Sequence, residues 1–159
     1  MSEAIRNLPK QEGNMQRPRE INIAIGIGIF AITVITLYWV TWFAAPQLIQ
    51  GRTPDAPDYQ IYLHFEQAFP LADGFIVLAS LVGVIGLWRM KAWGFLWMLL
   101  AAGAAIFLGL MDLLYDLQHE MFVPLTGETA IELVIVLLTL SLGPLIAALL
   151  WRCRSDFMC

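Results

Sequence analysis

Charge is scarce in this 159-residue chain: Asp, Glu, Lys and Arg together make up 14% of it, against 59% hydrophobic residues. A soluble domain needs more polar surface than that, so an ordinary water-exposed fold is excluded, and a mean hydropathy of +0.71 points to burial in a membrane. Histidine is limited to His64 and His119, and cysteine to Cys153 and Cys159, with no CxxC pair. Thiol-disulfide redox chemistry and a cysteine-rich metal centre are thereby excluded. The two cysteines are expected as reduced thiols on the cytosolic side. Haem held by His64 and His119 is disfavoured, because His119 lies past the apolar core and His64 on a wet helix face. Absent too are GxSxG, HExxH and a glycine-rich phosphate loop after a strand. Ser80 and Ser141 sit inside apolar runs without a nearby base and read as helix-packing hydroxyls. Nucleic acid is not an expected partner.

What the chain has instead is four long apolar runs, at about 21–45, 70–88, 93–117 and 129–151. Each is long enough to cross a hydrocarbon core of about 30 Å as a helix. The first is too long for a signal-peptide core and reads as an uncleaved span. The expected fold is therefore all-α: a four-helix transmembrane bundle over 21–151, with a flexible tail at 1–20 and a short tail at 152–159. Basic residues set its orientation. Arg6, Lys10, Arg17 and Arg19 precede span one, Arg89 and Lys91 fill the turn between spans two and three, and Arg152 and Arg154 follow span four. Both termini are expected to be cytoplasmic, leaving Arg52 alone among many acids on the outer side. A multi-pass protein of a prokaryotic cell membrane is the expected setting.

In the first outer loop, 58–69 has helical spacing and predicts a short amphipathic helix with Ile61, Tyr62, Phe65, Ala68 and Phe69 on its apolar face. Glu66 falls inside that apolar arc, and His64 on the wet side. Trp39, Trp42, Trp88, Trp93 and Trp151 lie near span ends and suit an interfacial belt. Ala79 with Gly83, Ala101 with Ala105, and Ala105 with Gly109 are small residues spaced by four, expected to let spans two and three approach closely. Gly143-Pro144 should loosen span four, because proline removes a ladder hydrogen bond.

Depth and helix direction sort the acids. At 1.5 Å per residue, Asp73 lies roughly 22 Å from Trp88, inside the core, and Asp112 and Glu132 lie near ~28 Å from the inner ends. Asp73, Glu128 and Glu132 fall near helix N-termini, whose dipole favours acids. Asp112 and Asp116 sit one turn apart at a C-terminus, where the dipole disfavours them. At about 6 Å two carboxylates repel by roughly 0.7 kcal/mol in water and nearly 3 kcal/mol at an effective dielectric of about 20. The pair calls for a cation, a basic ligand, a shared proton or facing helix N-termini.

Two readings of the chemistry follow. Glu66, Asp73, Asp112, Asp116 and His119 form a ligand-binding or proton-linked set lining an outward-facing acidic cleft that takes a cation or a small polar or cationic ligand. Asp112, Asp116, His119 and Glu120 are an oxygen-rich set that could hold a divalent cation as cofactor. No catalytic residue is assigned. The rivals are a non-catalytic accessory subunit whose acids meet basic residues of another membrane protein, and a membrane enzyme acting on a lipid or quinone. Membrane lipid is an expected partner, with a homo-oligomer or larger complex as a further one.

FPLADGFIVLA in span two and FLGLMDLLYDLQHEMF closing span three resemble small uncharacterised prokaryotic four-span membrane proteins, over about Phe65 to Phe122. The resemblance implies a bacterial or archaeal membrane protein and assigns no activity or site residue.

Overall fold

The computed structural model describes residues 17–50, 52–123 and 125–157, with the side chain of Glu128 outside that description. Expectations for Arg6, Lys10, Glu128 and Cys159 thus fall outside the described residues. Among the described residues five α-helices follow one another: α1 (Arg19–Ala44), α2 (Tyr59–Glu66), α3 (Phe69–Trp88), α4 (Ala92–Gln118) and α5 (Gly127–Arg152). Short 3-10 turns cover Pro46–Leu48 and Arg154–Asp156, and no strand occurs among the described residues. Four helical segments, the second comprising α2 and α3 together, are long and apolar enough to cross a membrane. The chain is a multi-pass membrane protein of the all-helical class.

The helix ends follow from local chemistry. Pro70 lies in the first turn of α3, where a missing N–H costs nothing. At the start of α5, Thr126 and Thr129 cap each other: the Thr126 hydroxyl accepts from the Thr129 amide at 3.2 Å, and Thr129 Oγ1 accepts from the Thr126 amide at 2.9 Å. α3 and α4 both end in a Schellman arrangement. Lys91 N–H donates to Gly86 O and Met90 N–H to Leu87 O, with Met90 at φ 51°. Met121 N–H donates to Asp116 O, with Glu120 at φ 52°. α5 runs unbroken through Pro144; the proline costs it one backbone donor without ending it.

The four long helices alternate in direction, and each packs against two neighbours: α3 on α1 and α4, α5 on α4 and α1. α1 and α5 are the pair that pack least. Glycines set the α3–α4 distance. A Cβ on Gly83 would meet the Met98 backbone nitrogen at 2.9 Å, and one on Gly86 would collide with the backbone of Gly94. The small residues of α4 behave differently from the expectation of a single span two–three seam. Gly109 faces Thr139 of α5, while Ala105 lines a cavity.

Two apolar cores result. One, near the Arg19 and Arg152 ends, joins Ile21, Ile25, Leu87, Met98, Leu150 and Phe157. The other, at the α2 end, joins Trp42, Tyr62, Tyr115 and Met121. Trp42, expected at a membrane boundary, is instead buried against Tyr62, with ring centroids 6.1 Å apart.

Candidate functional site

Between the two cores lies a cavity of about 140 Å³. Its wall is apolar along most of its length, and four carboxyl side chains, Glu66, Asp73, Asp112 and Glu132, stand in its lining. They come from α2, α3, α4 and α5 respectively. Among the described residues no Lys, Arg or His lines it.

Aromatic donors from other helices hold three of these acids. Tyr38 OH on α1 donates to Glu66 Oε2 at 3.2 Å. Trp39 Nε1–H donates to Asp73 Oδ2 at 2.8 Å. Tyr62 OH on α2 donates to Glu132 Oε1 at 3.2 Å. Glu66 and Glu132 are 6% and 3% exposed, so these bonds meet part of the large cost of taking a carboxyl out of water. Asp112 is only half-buried, and it lies within electrostatic reach of Glu66, Asp73, Asp116 and Glu132. Carboxyls from four separate helices thus share one space.

The sequence-predicted residues divide. Glu66, Asp73 and Asp112 are brought together; Asp116 and His119 are not part of the lining. Asp116 is 3% exposed, its Oδ2 has no hydrogen-bond partner, and it lies in the field of Arg52 and His119. Arg52 supplies positive charge at the α4 C-terminus. Its Nη2 donates to the His119 carbonyl at 2.8 Å, and its Nε pairs with Asp58 at 3.2 Å. His119 caps α4 rather than facing the cavity: its Nδ1–H donates to Tyr115 O at 2.9 Å, and its ring stacks on Tyr115 with centroids 4.0 Å apart. Phe65 stacks on Tyr115 at 3.8 Å, so three rings form one pile beside the site.

The proposed divalent set Asp112, Asp116, His119 and Glu120 is not assembled. Among the described residues no three His, Cys, Asp or Glu side chains are grouped so as to hold a metal ion. The reason is local. Glu120 occupies the left-handed position of the α4 cap and is exposed, and the cap turns His119 back onto its own helix.

Glu132, expected from its position as a helix-terminus acid, stands in the lining. Its end of α5 is already capped by Thr126 and Thr129, and Glu132 lies beyond the first turn. Trp39, read as a membrane anchor, is the donor to Asp73. Tyr38 and Tyr62 are donors that helix spacing alone does not single out. One signal for them was present: three aromatic residues with polar tips and several acids share one end of the spans, and buried carboxyls need donors.

No family model, no curated protein and no solved structure matches the chain.

Proposed function

We propose that this protein binds a cationic ligand in an acidic cleft of its membrane domain, with Glu66, Asp73, Asp112 and Glu132 as the charged contacts. One observation carries the reading: four carboxyls from four helices line a single cavity that has no basic side chain among the described residues. Each held acid has one aromatic donor, and Asp112 stands closest to lacking an answer within the chain. A cation supplies what the lining lacks, and the apolar wall strengthens that attraction by excluding water. Asp116 and Arg52 flank the cleft rather than forming it, and His119 positions Tyr115.

The orientation consistent with this reading has the cleft near the outer face. Arg17, Arg19, Arg89, Lys91, Arg152 and Arg154 gather at the opposite end of the helices, which is the pattern of a cytoplasmic side. A prokaryotic cell membrane is the setting proposed, and lipid the surrounding partner.

The test uses the full chain in lipid nanodiscs, with thermal unfolding followed against Mg²⁺, Ca²⁺ and tetramethylammonium. A ligand at about one hundred times its Kd stabilises by about 2.7 kcal/mol. At least one of these cations is expected to raise the midpoint, and Asp112→Asn with Glu132→Gln is expected to abolish the rise. A midpoint indifferent to all of them, or a rise that survives both substitutions, overturns the reading.

A further inference from the structure

A site for a bare ion would need only the carboxyl end of the cavity, and most of the cavity lies elsewhere. Its lining runs from Asp112 to Ala101 on α4 and from Glu132 to Ile146 on α5. At 1.5 Å per residue these stretches span about 16 and 21 Å. Beyond the acids the wall is hydrocarbon, apart from Ser80 and Thr139. The Thr139 hydroxyl is already committed to the carbonyls of Ile135 and Val136, at 3.1 and 3.0 Å. Ser80 is the other hydroxyl there and no carboxyl or amide side chain joins it, so the stretch is poor in groups that solvate an ion, and an apolar wall of this kind favours a hydrocarbon group.

The carboxyl end adds a second selective feature. The rings of Tyr38 and Trp39 line it beside Glu66 and Asp73. Their O–H and N–H edges are engaged by those carboxyls, so the rings wall the acidic end with hydrocarbon surface, and an organic ammonium sheds its weakly held water into such a space far more easily than a small divalent ion. α1 and α5, which pack least of the neighbouring helices, supply Phe30, Ile35, Leu138 and Leu142 to the apolar wall.

We propose that the ligand is an amphiphilic amine, with its ammonium head among the four carboxyls and the two rings, and its hydrocarbon group along the apolar part of the cavity. The inference rests on the cationic-cleft reading above and narrows its ligand class. The cavity then serves as one site with two ends: charge selects the head, and length selects the tail.

The experiment titrates the full chain in nanodiscs with tetramethylammonium, butyl-, hexyl- and octyltrimethylammonium, and 1-octanol. The saturable binding removed by Asp112→Asn with Glu132→Gln is taken as the site. Each buried methylene is worth about 0.8 kcal/mol, or about fourfold in affinity, so affinity is expected to climb steeply from the butyl to the octyl compound. Octanol is expected to show no acid-dependent binding. Ala105→Leu, which fills the apolar part, is expected to weaken the octyl compound at least tenfold and leave tetramethylammonium unchanged. Ala31→Leu, filling the same space from α1, guards against a folding defect in the first variant. If tetramethylammonium binds as tightly as the octyl compound and both need the acids, the cationic cleft stands and the amphiphile is overturned. If no cation binds in an acid-dependent way, both readings fall.

Discussion

Trp39 and Asp73 are joined by one indole N–H bond of 2.8 Å that ties α1 to α3 across the cavity wall. Trp39→Phe keeps the ring's bulk and leaves Asp73 without its donor. Membrane hydrogen bonds average about 0.6 kcal/mol in mutant cycles, and bonds to charged groups reach about 1.5–3 kcal/mol. A Trp39→Phe/Asp73→Ala cycle, read by unfolding in mild detergent, is expected to give a coupling of about 1 kcal/mol. Strictly additive losses would show that the contact contributes nothing.

Glu120 is held at φ 52°, a conformation that favours glycine. Glu120→Gly is expected to raise stability by about 1 kcal/mol, the relief of left-handed strain in a non-glycine residue, and to leave cation binding as it was. Loss of binding in this variant would return Glu120 to the site.

The glycines of α3 and α4 divide by what surrounds them. A Cβ on Gly83 meets the Met98 backbone at 2.9 Å, whereas one on Gly103 meets nothing within 4 Å. Gly83→Ala is therefore expected to cost about 1–3 kcal/mol by overpacking. Gly103→Ala is expected to gain about 0.5–1 kcal/mol through helix propensity. Equal thermal midpoints for the two variants would show that the α3–α4 seam yields freely.

Cys153 follows α5 at the edge of the first core. Burial first, then the nearby Glu20 and Asp156 carboxylates, hold its thiol above the ordinary value. All three causes disfavour the negative thiolate, which is the reactive form. In a Cys159→Ser background, the pH midpoint of iodoacetamide labelling is expected above that of a free thiol. Glu20→Gln with Asp156→Asn should move it down, towards the free value. A wild-type midpoint at or below the free-thiol value would contradict the assignment.

The helices were legible in the sequence because a span must be a long apolar run, and runs do not depend on what packs beside them. The observed α1 starts two residues before the expected Ile21, at Arg19, where Arg17 caps α3 through Trp88 O at 2.9 Å. The site was legible in part. Glu66 stood out because its helix phase puts it on an apolar face, and Asp112 because its charge opposes the helix dipole. Asp73 and Glu132 had an ordinary local explanation in the dipole of their own helices, and only the tertiary arrangement shows that both also line the cavity. Asp116 and His119 lie outside the lining. Their spacing on α4 matched a ligand set, but Arg52 arrives from a distant loop and the Schellman cap redirects His119. Helix phase gives the face of a residue, and neither the neighbour across the gap nor the cap beyond the end can be read from it.

The tight turn from α3 to α4 also gives the molecule a chronology. With Gly86 against Gly94 and only residues 89–91 between the helices, α3 and α4 can pair as soon as both have left the ribosome. At that moment Glu66, Asp73 and Asp112 are already in the chain, but Glu132 and the α5 wall are not. The cavity is completed last, when the final long helix inserts and Tyr62 finds Glu132. Until then Glu66, Asp73 and Asp112 stand without the fourth lining carboxyl, so the C-terminal third of the chain decides when the cavity is closed.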